Sequence, residues 1–182
     1  MKTKLASATA YLLLVAAPAP AQRGIKLDVP YVPTPQPVVE AMLKLADVKT
    51  GDVVYDLGCG DGRIVVTAVK QFGARHGLGI DLDPDRVAQS NESAKKAGVA
   101  EKVEFRQGDV LKLTSVADAT VVTLYLSPSV NRQIEPMLRK TLKPGSRVVS
   151  HDFRVGDWPP EKTERVKGTR QDDHVIYLWT IK

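Results

Sequence analysis

The chemistry in this sequence gathers around Asp56-Leu57-Gly58-Cys59-Gly60-Asp61-Gly62-Arg63, where three glycines at alternate positions follow a short apolar run. Glycine lets a backbone bend sharply and approach a ligand with no Cβ in the way, and the free N–H groups that open the following helix face the same space. The stretch reads as a cofactor cradle. A nicotinamide cradle needs G-x-G-x-x-G, and Arg63 stands where its last glycine belongs. A Walker A loop needs Gly-Lys-Ser/Thr, but Gly62 runs into Arg63-Ile64. Asp56 beside the turn repels an anionic pyrophosphate and suits a cationic ligand group. Cys59, inside the turn, reads as a small packed residue rather than a nucleophile.

Further polar residues recur at the ends of apolar runs. Asp81-Leu82 and Asp83 close a second run, Asp109-Val110 follows a third, Tyr125, Ser127 and Pro128 follow a fourth, and His151 and Asp152 follow a fifth. In open α/β sheets, ligands bind beyond the carboxyl ends of strands where the strand order reverses, so one rim would collect these residues. Each has a plainer reading. Asp81 could serve only the approach to a helix, although Asp83 already takes the capping role. Asp109 belongs to a Gly-Asp pair, which is common turn chemistry. Thr34 reads first as a helix N-cap. His151 reads as a satisfied structural histidine or as a base, and Asp152 is similar. Trp158, beside Pro159-Pro160, reads as a lid over the core or as a substrate platform. No metal site is read, and the single cysteine excludes both a cysteine-rich zinc site and an intrachain disulfide.

The elements that must position these residues alternate along the chain. Pro30, Pro33, Pro35 and Pro37 impose an extended lead-in segment. With Thr34 as N-cap and Pro35 as first helical residue, Val38, Met42 and Leu45 then share one face of a helix that closes near Asp47. The turn at 49–52 delivers an opening strand. After the glycines, Ile64, Val65, Ala68, Val69 and Phe72 repeat at helical spacing until Gly73. A strand over 78–81, a helix from Asp83-Pro84 to Gly98 and a third strand over 102–105 follow. Residues 120–126 are almost continuously apolar, as in a strand covered on both faces. Ser127-Pro128 caps the next helix, which Pro136 is expected to kink or restart. Residues 147–151 form a fifth strand, a Pro-rich loop spans 152–160, and 162–166 pairs with 174–181 around a turn near Gly168. The pattern predicts an α/β fold, with an open, mostly parallel sheet of about seven strands, helices on both faces and a C-terminal antiparallel hairpin.

Taken together, the motifs resemble class I S-adenosylmethionine-dependent methyltransferases, whose first motif is an acidic residue followed by G-x-G-x-G, here Asp56 to Gly62. The likeness continues at Asp81, at Gly108-Asp109 and at Leu142-Lys143-Pro144-Gly145. It implies a Rossmann-like domain over residues 52–182, behind an extended segment and first helix over 22–51, with S-adenosyl-L-methionine as cofactor. The cofactor residues it implies are Thr34, Asp56, Gly58, Cys59, Gly60, Gly62, Asp81, Leu82, Asp109 and Val110, with Asp81 on the ribose hydroxyls and Asp109 near the adenine amine. A narrower resemblance, carried by Tyr31-Val32-Pro33-Thr34-Pro35 and by Asp56 to Val65, is to the lysine N-methyltransferase-like group that includes the ATP synthase c-subunit lysine methyltransferases. It implies N-methylation of a protein lysine or another amine. Tyr125, Ser127, Pro128, His151 and Asp152 are then the expected substrate side. The chain departs from family patterns in two places. It lacks the Asn/Asp-Pro-Pro-Tyr box, with Leu126-Ser127-Pro128 standing there instead, and the loop over 152–160 replaces the usual fifth crossover helix. The alternatives are an exported, non-catalytic S-adenosylmethionine-binding module and a methyltransferase for a small molecule or RNA.

At 182 residues and 43% hydrophobic content, the chain is long enough for one domain with a real core. Lys2 and Lys4, an apolar run from about Ala8 to Ala17 and the small-residue pattern Ala19-Pro20-Ala21 read as a signal peptide over residues 1–21. Cleavage before Gln22 would give an exported chain, periplasmic or secreted, with no membrane span. An uncleaved anchor is the alternative, although the run is short of the roughly 20 apolar residues a span needs. Without Lys2 and Lys4 the chain holds 24 basic against 21 acidic residues, a balance that leaves no strong nucleic-acid footprint.

Overall fold

Helical and strand periodicities resolve into four helices and seven strands within residues 31–182, the part of the chain that the structure, a computed structural model, describes. The expected leader over 1–21, and residues 22–30 of the lead-in segment, lie outside the described residues. In chain order the elements are α1 (Gln36–Leu45), β1 (Val53–Leu57), α2 (Arg63–Lys70), β2 (His76–Asp81), α3 (Pro84–Ala97), β3 (Val103–Gln107), β4 (Val121–Leu124), α4 (Pro128–Thr141), β5 (Arg147–His151), β6 (Lys162–Lys167) and β7 (Asp173–Thr180). Among the described residues no helix is long and apolar enough to cross a membrane.

The strands form one sheet in the order β3-β2-β1-β4-β5-β7-β6. β1 to β5 pair in parallel, and β7 runs antiparallel between β5 and β6, which is the expected Rossmann-like architecture. The chain steps outward from β1 to β3 and then returns to lay β4 on the other side of β1. The strand order therefore reverses between β1 and β4, and a crevice opens at their carboxyl ends. Asp56 of β1 sits level there with Gly79 of β2 and Thr123 of β4.

Both faces of the sheet are covered. On one, Val38, Val39 and Met42 of α1 and Val65 and Ala68 of α2 pack on Val54, Val121 and Val149. On the other, Val130, Ile134 and Leu138 of α4 pack on Leu57, Val122 and Leu124. β7 serves both layers by its period of two, with Ile176 and Leu178 on the first face and Tyr177 and Trp179 on the second. The buried Trp179 donates its indole N–H to the Trp158 carbonyl at 2.9 Å, so Trp158 lies as a cover on this core. At the amino ends of the strands, Asp52 accepts from Arg147 (2.5 Å), the Thr120 hydroxyl (2.7 Å) and the Lys49 amide (2.9 Å). It thus ties β1 to the approaches of β4 and β5.

Three local expectations are corrected. Thr34 is not the N-cap of α1. Pro35 holds that position, with no side-chain cap, because the Thr34 hydroxyl is bonded to His151 Nδ1 at 3.1 Å instead. Pro136 neither ends nor restarts α4, which runs through it to Thr141. Its missing N–H removes one helix bond, while Ile134 and Leu138 on either side remain anchored in the core. β4 stops at Leu124 rather than Leu126, which frees Tyr125 and Leu126 to face the crevice.

Candidate active site

The glycine turn is fastened to the neighbouring strand before it reaches any ligand space. The amides of Gly58 and Cys59 both donate to the Ile80 carbonyl, at 2.8 and 3.0 Å. Gly58, Gly60 and Gly62 have φ of 84°, 55° and 77°, the left-handed region, where a side chain costs roughly 1–2 kcal/mol per residue. Their missing side chains serve different ends. A Cβ on Gly60 would lie 2.5 Å from the Tyr31 ring, and one on Gly58 would lie 2.5 Å from Leu126. A Cβ on Gly62 would instead strike Phe105 at 2.8 Å and Ser90 at 2.9 Å. Gly62 therefore serves the packing of β3 and α3 against the turn.

Beyond the turn lies a cavity of about 340 Å³, within the range of small-molecule sites. Every residue expected on the cofactor side lines it except Gly62, and from the expected substrate side Tyr125 and Ser127 line it. Pro128, His151 and Asp152 do not. Pro128 is the first residue of α4, and the Tyr125 ring covers His151, with centroids 3.9 Å apart. Tyr31 and Arg63, which belong to the sequence motifs but not to the expected site residues, also line the cavity, as do Arg86 and Phe153, which no motif pointed to. The Arg86 guanidinium lies 3.9 Å over the Tyr31 ring, and Phe153 stacks on Tyr125 at 6.2 Å. Arg63 grips Asp61 with two nitrogens, at 2.6 and 2.9 Å, and donates a third bond to the Thr34 carbonyl at 3.0 Å. It thereby clamps the lead-in segment over the turn. That segment carries the Tyr31-Val32-Pro33-Thr34-Pro35 motif, which the narrower resemblance implies closes over the cofactor.

The carboxylates at the rim are held in different ways. Asp81 accepts the Gly60 amide at 2.8 Å and the Asp83 amide at 3.0 Å, one on each oxygen. Asp109 accepts the Leu111 amide at 2.9 Å. Asp56 is 2% exposed, and among the described residues its one side-chain partner is the Thr123 hydroxyl at 2.6 Å. Burial pushes its carboxyl up to about 7 against the pull of Thr123, with the nearby Asp81 and Asp61 charges adding to the rise. A cation in the cavity would give this carboxyl a counter-charge that no described residue supplies. Cys59 is inert by the same physics, because burial drives its thiol far above the usual range.

Behind Tyr125, the fully buried His151 shares a hydrogen bond with the Thr34 hydroxyl through Nδ1 and meets His174 Nδ1 through Nε2 at 2.9 Å. His174 Nε2 in turn lies 2.9 Å from Asp172. Asp152, at a left-handed φ of 55°, is fixed by accepting the Val175 amide at 2.9 Å and lies 3.4 Å from His174 Nδ1. His151, Asp152 and His174 offer ligand atoms within 4.8 Å of one another, and hydrogen bonding accounts for that spacing. Burial pulls His151 down to about 4, opposed by Asp152 and assisted by His174.

With this geometry in view, the comparisons with known proteins are direct. Residues 56–162 match the family model of the ANTKMT methyltransferase domain. The chain belongs to this family. A relative in Saccharolobus islandicus (strain REY15A), a protein-lysine N-methyltransferase, is 41% identical over 153 residues, which is 84% of this chain and 94% of the relative. The adenine nucleotide translocase lysine N-methyltransferase of Mus musculus is 38% identical over 78% of this chain, which spans only 63% of the mouse protein. Among solved structures, an RNA methyltransferase from Salinibacter ruber in complex with S-adenosyl-L-homocysteine is 53% identical, with a TM-score of 0.76 over 82% of this chain and 94% of that one. As a member of the family, the protein is an S-adenosylmethionine-dependent methyltransferase, and its site fits that cofactor. Gly58 and Gly60 line the cavity, with Leu126 and the Tyr31 ring packed against their missing side chains, Asp81 is fixed at the rim, and the buried Asp56 has no cationic side-chain partner among the described residues.

Proposed function

We propose that this methyltransferase acts on the side-chain amine of a protein lysine, and that it does so after export. The observation that carries the substrate class is the charge of the cavity. Asp56, Asp61, Asp81, Asp83 and Asp109 line it against only Arg63 and Arg86. Arg63 pairs with Asp61, and Arg86 lies beside Asp83 and over the Tyr31 ring, so the acidic excess rests on Asp56, Asp81 and Asp109. Such a rim attracts an ammonium group and repels a phosphate backbone. Tyr125 and Phe153 add aromatic faces, which hold an alkylammonium by about 0.5–2 kcal/mol. The names of the archaeal and mouse relatives support the same reading.

The bound cofactor would supply an electrophilic methyl group on a cationic sulfonium. The chain's own task is to position and to exclude water. Asp81 and Asp109 would hold the nucleoside end, and Asp56 the cationic amino-acid end. Tyr31 to Thr34 close over the turn, and Tyr125 and Ser127 face the acceptor side. An acceptor amine must lose its proton before it can attack, and a desolvated cavity lowers a lysine pKa in the useful direction.

The name of the Salinibacter structure motivates a second reading, RNA as acceptor. Incubation with methyl-labelled S-adenosylmethionine and total cell fractions separates the two. Label that is released by protease and recovered as methyl-lysine supports the lysine reading, and label released by ribonuclease overturns it. Export is supported by the leader pattern over residues 1–21. A mature chain that begins at Gln22 outside the cytoplasm is the expected result, and an intact Met1 in the cytosolic fraction would refute export.

A further inference from the structure

We propose that Thr34, His151 and His174 form a hydrogen-bonded proton path from the cavity to the surface carboxylate of Asp172, and that this path removes the proton an acceptor amine must lose. The inference rests on the lysine reading above. Thr34 lines the cavity, and its hydroxyl lies 3.1 Å from His151 Nδ1. His151 Nε2 lies 2.9 Å from His174 Nδ1, and His174 Nε2 lies 2.9 Å from Asp172 Oδ2. Exposure rises along the path, from a side chain 0% exposed at His151 to 12% at His174 and 50% at Asp172. Its two ends therefore sit in the cavity and in solvent.

One set of tautomers gives every bond the same direction. The Thr34 hydroxyl donates to His151 Nδ1, the His151 Nε2–H donates to His174 Nδ1, and the His174 Nε2–H donates to Asp172. A proton that leaves the amine for the Thr34 oxygen displaces the hydroxyl proton onto His151 Nδ1. His151 then releases its Nε2 proton to His174 Nδ1. The amine keeps its lone pair, Thr34 and His151 end neutral, and one added proton resides on His174. The resulting imidazolium lies between two carboxylates, with Asp152 Oδ2 3.4 Å from Nδ1 and Asp172 Oδ2 2.9 Å from Nε2. The backbone clamp on Asp152 from Val175 holds it ready for that charge. From Nε2 the proton passes to Asp172 and water. Burial favours the neutral form of His151, which suits a group that relays a proton and does not store it.

A purely structural cluster needs no such direction and no carboxylate at its outer end. The titratable groups that face the path are Tyr125 after β4, Asp152 after β5 and Asp172 before β7. The test uses the full-length protein and the protein acceptor found with labelled cofactor. Thr34→Val and His174→Gln should each lower the single-turnover rate at pH 7 by about 100-fold, the lower end of what acid–base catalysis contributes. His174, which does not line the cavity, should leave affinity for S-adenosylhomocysteine unchanged when replaced by Gln, and Thr34→Ser should recover most of the rate that Thr34→Val loses. The deficit should shrink steadily toward pH 10, where a lysine amine, with a pKa of about 10.4, sheds its proton to solvent unaided. A deficit that is the same at every pH, or rates equal to wild type, overturns the path. Nitrogen-15 spectra of the imidazoles provide a readout that needs no turnover. His151 should carry its proton on Nε2 at pH 7, and a proton on Nδ1 refutes the direction. If the wild-type chain methylates no protein lysine, the lysine reading itself fails, which is distinct from an active enzyme whose variants lose nothing.

Discussion

Replacing Asp56 by Asn tests the electrostatic logic of the cavity, because the amide keeps the shape of a protonated carboxyl and cannot ionise. The Asp56 carboxyl moves from an ordinary 3.8 to about 7 in the folded chain, chiefly through burial. A group whose folded pKa is raised contributes stability that is fully present below its unfolded pKa and is lost as pH rises through the folded one. The window is therefore pH 4 to 7, and the loss across it is about 4 kcal/mol at 1.36 kcal/mol per unit. The group is 2% exposed, so solvent screening takes little of this. In chemical denaturation, D56N should match wild type near pH 4 and exceed it by up to about 4 kcal/mol at pH 8. His151 titrates in the opposite sense. Held down near 4, it contributes stability above about 6.5 that is lost as pH falls to 4. Both proteins carry it, so the difference between them isolates Asp56. Binding should run the other way. S-adenosylhomocysteine brings an ammonium, so wild-type affinity should fall by about tenfold per unit below pH 7, with proton release on binding, and D56N should bind weakly at every pH. Neutral adenosine should show no such slope. Equal stability of the two proteins at pH 8, together with unchanged affinity for S-adenosylhomocysteine, would refute the reasoning.

Other variants probe the rest of the frame. Gly60→Val places a side chain against the Tyr31 ring at a left-handed φ, so calorimetry should find binding of S-adenosylhomocysteine lost while circular dichroism keeps the native spectrum. Asp81→Ala removes the acceptor of the Gly60 and Asp83 amides and should weaken S-adenosylhomocysteine by about 1.5–3 kcal/mol, roughly 10- to 100-fold in Kd. Asp52→Ala leaves the Arg147 guanidinium, 16% exposed, without its carboxylate at the far end of the sheet. It should lower unfolding stability by about 3 kcal/mol and leave ligand affinity of the folded protein untouched.

Much of this arrangement was legible in the sequence, for reasons that are local. The glycine turn, Asp83 at the head of α3, Gly98 at its end and the two-residue period of β7 each depend on neighbours within a few positions. What sequence could not supply depends on distant partners. Thr34 beside Pro35 has the local signature of an N-cap, but its hydroxyl prefers a ring nitrogen 117 residues away. His174 sits in an ordinary strand pattern, and only the antiparallel pairing of β5 with β7 brings it against His151. Gly62 shares the motif of Gly58 and Gly60, yet only the packing of Phe105 and Ser90 separates its role from theirs.

The position of Asp56 also sets it apart from the carboxylates at the rim. Asp81 accepts the amides of Gly60, in the turn after β1, and of Asp83 after β2, and Asp109 accepts that of Leu111 after β3, so backbone donors set their orientation. Asp56 belongs to the central strand, level with Gly79 and Thr123, and gains one hydroxyl from the sheet around it. Rim carboxylates fixed by amides are ready-made acceptors for the neutral hydroxyl and amine groups of a nucleoside. A buried carboxyl that titrates near neutrality gains its charge when a cation arrives. In the proposed reading, recognition of the nucleoside is built into the turns, while recognition of the charged end is coupled to a proton. With a lysine as the proposed acceptor, the same coupling recurs on the acceptor side, where a protonated amine must be admitted by an acidic rim and then discharged. Thr34 lies where both demands meet: its carbonyl receives Arg63 from the glycine turn, and its hydroxyl opens the path through His151.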